Sequence, residues 1–86
     1  MHREKYFIKD SVRKWLEYKI ESTRGTVITV KAKGFFKWIG RKEHYGGKSR
    51  EFWQLVEEIA PELGLRVLER AYRRVGNPSK IVFIKP

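Results

Sequence analysis

Lys31-Ala32-Lys33-Gly34-Phe35-Phe36-Lys37-Trp38-Ile39-Gly40 admits two readings, and the choice between them decides the fold. Wound as a helix, the stretch puts Ala32, Phe35, Phe36 and Ile39 on one face, sets Lys33 and Lys37 to one side, and stops at Gly40. Extended as the return arm of a hairpin turning at Lys33-Gly34, it sends Phe35 and Ile39 to one sheet face and Phe36 and Trp38 to the other. The helix gathers the apolar residues better, although Gly34 inside it costs about 1 kcal/mol relative to alanine. The helical reading is preferred.

Upstream, Thr26-Val27-Ile28-Thr29-Val30 is β-branched throughout and reads as a short strand. Before it, Val12, Trp15, Leu16 and Ile20 recur at helical spacing, with Arg13, Lys14, Glu17 and Glu21 on the other side. Asp10 or Ser11 is a suitable cap, so the first helix is expected over roughly 11–22, ending at Arg24-Gly25. Residues 1–9, with the apolar knot Tyr6-Phe7-Ile8, read as an N-terminal arm: a docking segment or an irregular lead-in to one domain over 10–86.

Downstream, residues 41–48 form a polar stretch with Gly46-Gly47 and read as a loop. Ser49 is a good N-cap, with Glu51 in the first turn, and Phe52, Leu55, Val56, Ile59 and Leu63 make the longest apolar stripe in the chain. Pro61 starts a distinct last turn, closed by Gly64. The stretch 65–75, the turn Gly76-Asn77-Pro78-Ser79 and the β-branched run Ile81-Val82-Phe83-Ile84 read as a hairpin. Leu65, Leu68, Tyr72 and Val75 also fit a helical stripe; a strand is preferred because the second arm needs a partner.

Charge is distributed in blocks. Residues 31–50 carry seven cations against Glu43 alone, and residues 66–80 carry five against Glu69. Between them, 51–65 holds only Glu51, Glu57, Glu58 and Glu62 as charged groups. The net charge of +10 equals that of the two basic blocks, the remaining segments cancelling. Positive charge on either side of an acidic, apolar-striped helix suits a surface that meets a polyanion, of which nucleic acid is the commonest. A basic surface that merely keeps a protein soluble would carry the same total charge.

Eighty-six residues that are 41% hydrophobic can bury a core unaided. With no cysteine, disulfides, thiolate metal sites and thiol nucleophiles are excluded, and the composition suits a reducing, intracellular compartment. No apolar run exceeds Ile81–Ile84, and the first residues lead into no signal-type stretch. Asn77 is the only asparagine, Gln54 the only glutamine and Met1 the only methionine in a chain that is 35% charged, which is a hyperthermophile bias. His2 and His44 lack a ligand cluster, and Glu57 and Glu58 point about 100° apart on a helix. No phosphate-cradling glycine loop or catalytic constellation occurs. No enzyme activity, metal or cofactor is expected.

Helix, short strand, helix, helix, two-stranded hairpin is an α+β order that resembles the winged helix-turn-helix superfamily, small archaeal winged-helix proteins in particular. The resemblance covers about residues 10–86 and is one of fold. It rests on element order, on the stop at Gly40, on the Leu63-Gly64-Leu65 exit from the third helix and on the basic hairpin tip. The connection between the second and third helices is longer than in simple helix-turn-helix proteins.

In such proteins the third helix enters the major groove of DNA and the wing touches phosphates or the neighbouring minor groove. Here Arg50 and Gln54 project opposite Phe52, suited to guanine and adenine respectively, while Glu57 beyond them would repel phosphate. Lys48, the Ser49 hydroxyl and the first free N–H groups would meet a phosphate at the helix start. Lys33, Lys37, Arg41 and Lys42 would flank the backbone, and Arg73, Arg74 and Lys80 surround the wing tip. The expected function is double-stranded DNA binding, as a cytoplasmic, nucleoid-associated transcription regulator or DNA-organising factor; a homodimer is left open. Two rivals stand beside it. One is an αββαββ domain with 26–42 as a hairpin that binds structured RNA. The other is a protein-interaction winged helix that uses Trp38, Trp53 and Tyr6-Phe7-Ile8. Trp38 and Trp53 lie off the main stripes, where they either stack on bases or close the core edge.

Overall fold

A computed structural model of the chain describes residues 2–40, 45–72 and 78–86, and the side chains of 9–40, 50–72 and 78–86. The order is α1 (His2–Ser22), β1 (Val27–Val30), α2 (Ala32–Ile39), α3 (Tyr45–Ile59), a 3₁₀ turn (Ala60–Leu63), β2 (Arg66–Ala71) and β3 (Lys80–Ile84). The fold is α+β, three helices with a three-stranded antiparallel sheet of order β1-β3-β2. Residues 32–39 are helical and pack on both α1 and α3. β1 pairs with β3 rather than with residues 35–41, so the αββαββ alternative is not the fold.

The aromatic residues explain why the helix wins. Phe35 and Phe36 are both buried, which adjacent residues of a strand on a one-sided sheet cannot be. Phe52 of α3 lies at the centre, 5.1 Å from Phe35 in a stacked pair, 5.9 Å from Trp15, 6.0 Å from Phe36 and 4.9 Å from Trp53 between ring centroids. Gly40 stops α2 at φ 78°, its N–H turned back to the carbonyls of Lys37 and Phe36. From the sheet come Ile28 and Val30 of β1 and Ile81 and Phe83 of β3, paired Ile28 with Phe83 and Val30 with Ile81. The alternation of β1 thus meets the alternation of β3 on one face. β2 is an exposed edge strand whose register steps over Leu68.

Two boundaries differ from the sequence reading. α1 begins at His2, so residues 2–9 continue the helix and neither Asp10 nor Ser11 caps it. His2–Lys9 contains no glycine or proline and is rich in good helix formers, and propagation from a packed stripe extends through it. In the same way α3 begins at Tyr45, not after a Ser49 cap, and takes in Gly46, Gly47, Lys48 and Ser49. Glycine lowers helix propensity by about 1 kcal/mol without forbidding the conformation, and the packed turns beyond outweigh it. Among the described residues no helix is long and apolar enough to cross a membrane.

Candidate nucleic-acid interface

The inner side of α3 is wholly committed to the core through Phe52, Trp53, Leu55, Val56 and Ile59. Trp53 therefore closes the core. Arg50 and Gln54 are exposed, four residues and about one turn apart, on the side facing away from Phe52. Because α3 starts at Tyr45, its free N–H groups belong to the first four residues, and Ser49 lies inside the helix rather than at its mouth. The free N–H groups expected at Ser49 therefore lie about one turn earlier in the chain. The side chains of Lys48 and Ser49 lie outside the described residues, as do Arg41, Lys42, Arg73 and Arg74. Lys80 opens β3, half-buried, opposite Ala71.

Glu57 is not the barrier that its charge suggests. Arg70 of β2 donates to it twice, Nε to Oε2 at 3.1 Å and Nη2 to Oε1 at 2.7 Å, a bidentate pair that neutralises the carboxylate. That hydrogen bonding also holds the Arg70 guanidinium above its ordinary pKa. Farther along, Lys9 Nζ meets Glu58 Oε1 at 3.0 Å, and Arg13 pairs with Glu62. Residues 9 and 13 of α1 are one turn apart, as are 58 and 62, so two parallel ion pairs fasten α1 to the end of α3 and its 3₁₀ turn. Glu57, Glu58 and Glu62 of the negative block are thus engaged in internal contacts, and Arg70 is withdrawn from the basic block to serve one of them.

Lys33 and Lys37 are gathered elsewhere. With Lys19 of α1 and Lys31 they line an open groove of about 450 Å³, completed by Trp15, Thr29 and Gly34. The groove is built from α1, β1, Lys31 and α2, and among the described residues none of α3 lines it. Lys19 Nζ stands 5.2 Å from the centroid of the Trp15 ring, a cation–π geometry, and burial pushes its pKa down. Lys31 and Lys33 belong to the basic block seen in the sequence; the contribution of Lys19 from a separate helix is not visible there. The one signal in the sequence is its four-residue spacing from Trp15. Near this groove Trp38 is 46% exposed and lies nearly parallel to Tyr18, itself 53% exposed, with 6.3 Å between centroids and 24° between planes.

Among the described residues no three His, Cys, Asp or Glu side chains gather as metal ligands. No family model, curated protein or solved structure matches the chain.

Proposed function

We propose that this chain binds double-stranded DNA, with α3 in the major groove and the β2–β3 hairpin alongside as a wing, as a transcription regulator or DNA-organising factor of the winged helix-turn-helix kind. One observation carries the reading. α3 presents Arg50 and Gln54 outward, one turn apart, while its opposite side is buried and the nearby Glu57 is neutralised by Arg70. In a chain of net charge +10, that leaves a helix able to approach phosphates closely enough for an arginine and a glutamine to reach base edges. Affinity comes mainly from phosphate neutralisation, and sequence discrimination from these two side chains. Nucleoid association in the cytoplasm follows from the same reading.

The test separates positioning from reading. Arg50→Ala is expected to cost roughly 1–3 kcal/mol on a selected duplex and to flatten preference among sequences. Replacing Arg73 and Arg74 together should weaken all duplexes alike and reduce the salt slope by up to about 2, because phosphate contacts carry no base information. Both variants are measured against the selected duplex and a scrambled one. Equal losses from Arg50→Ala on the two duplexes would show that α3 reads no bases.

A further inference from the structure

The α1–α2 edge holds features that duplex binding by α3 does not use. Around the groove stand Lys19, Lys31, Lys33 and Lys37, and among the described residues that line it none is a carboxylate. Lys19, Lys31 and Lys37 facing one opening repel one another, and partial burial of Lys19 adds to the cost of keeping it charged. An anion seated there relieves both. Thr29 adds a hydroxyl to the lining.

Gly34 is the second feature. Its φ lies outside the left-handed region, and a Cβ built on it would meet only the Trp15 ring, at an ordinary 3.5 Å. Neither backbone nor packing calls for glycine in the middle of α2. Its effect is to leave the floor of the groove open over the indole of Trp15.

The third feature is the aromatic pair. Trp38 follows Lys37 and sits one turn beyond Gly34; Tyr18 precedes Lys19 and sits one turn beyond Trp15. Two large aromatic rings held nearly parallel and about half exposed, beside a groove of lysines, match a stacking platform with a phosphate track. The groove volume of about 450 Å³ falls within the range of small-ligand sites.

We propose that the α1–α2 edge binds single-stranded nucleic acid, Trp38 stacking on an unpaired base while Lys19, Lys31 and Lys37 hold the adjoining phosphates. Trp38 is the one tryptophan exposed, Trp15 and Trp53 being buried, so quenching of tryptophan emission reports the contact directly. The site lies apart from the α3 face and does not depend on the duplex reading.

The full chain is titrated with oligo-dT and oligo-rU twelve-mers, with inorganic triphosphate, and with a blunt duplex. Both oligomers are expected to quench Trp38, and the ratio of their affinities identifies the preferred sugar. Read from the anisotropy of an end-labelled oligomer, Trp38→Ala should weaken oligomer binding by roughly 5- to 150-fold, the range for loss of one stacked base, whereas Trp38→Phe retains most of it. Lys31→Gln with Lys37→Gln should lower the single-strand salt slope by about 1.4, at about 0.7 per phosphate. Arg50→Ala, which tests the duplex reading, should leave the oligomers unaffected, so each proposal fails by itself. Oligomer affinity unchanged within about twofold in Trp38→Ala overturns the inference. Triphosphate binding as tightly as the oligomers overturns it too, by showing an anion site without base stacking.

Discussion

Gly40 and Gly64 both end a helical segment with φ near +80°, yet a side chain would meet different surroundings at each. At Gly40 a Cβ has nothing within 4 Å, so Gly40→Ala carries only the left-handed penalty of about 1–2 kcal/mol. At Gly64 it would stand 2.9 Å from Pro86 Cβ, a clash with a stiff ring. Gly64→Ala is therefore expected to destabilise more than Gly40→Ala in urea denaturation, and Pro86→Gly should bring the two costs together. Lys19 offers a pH signature. Burial lowers its pKa below the ordinary 10.5, so between the two values the unfolded chain binds more protons than the folded one. Folding stability contributed by Lys19 thus rises as pH climbs through that window, and the wild type should gain relative to Lys19→Met up to about pH 10.5. Denaturant midpoints of both proteins across alkaline pH check the sign.

Among the elements, the junction of α2 and α3 on α1 carries the core. Phe52 touches four other aromatic rings, so Phe52→Ala should cost about 3–5 kcal/mol, while Gln54→Ala two positions on should change stability little. The ion pairs that fasten α1 to α3 act at the rim and are screened by salt. Hydrogen bonding by Arg13 holds the Glu62 carboxyl below its ordinary 4.5. Its contribution is therefore present above that value and lost as pH falls through the lower, folded-state pKa. Glu62→Gln is expected to remove this part of the acid sensitivity at low salt and to make little difference at high salt, read from thermal midpoints. The same elements show how far local pattern reaches. The stripes of α1, α2 and α3 and the β-branched runs were legible residue by residue. The starts of α1 and α3 lie ahead of the caps that the sequence offers, because caps are one stabilising device among several and a packed helix extends past a good cap when the flanking residues allow it.

For the whole molecule, the proposed duplex function makes a quantitative demand. If five or six cations meet phosphates, log affinity should fall against log salt with a slope near −5, at about −0.9 per contact. Affinity indifferent to salt between low and physiological ionic strength would remove the polyanion model, whichever residues were chosen. The structure redistributes the charge on which that expectation was built. Glu57, Glu58 and Glu62 serve as anchors for Arg70, Lys9 and Arg13, and Lys33 and Lys37, expected to flank the DNA backbone, line a groove with Lys19 on the α1–α2 edge.

By itself the sequence determined the α+β class, the order of six elements, most of the buried aromatic set and the stops at Gly40 and Gly64. Those are outcomes of short-range physics: apolar spacing, β-branching and the freedom of glycine at positive φ. Only the tertiary structure decided that β3 is the central strand, paired to β1 across some fifty residues as well as to β2. It alone showed that Glu57 is neutralised and that Lys19 joins Lys31, Lys33 and Lys37. Each is a meeting of residues remote in the chain, and no local periodicity encodes which strand edges or which opposite charges will find one another once the core has closed.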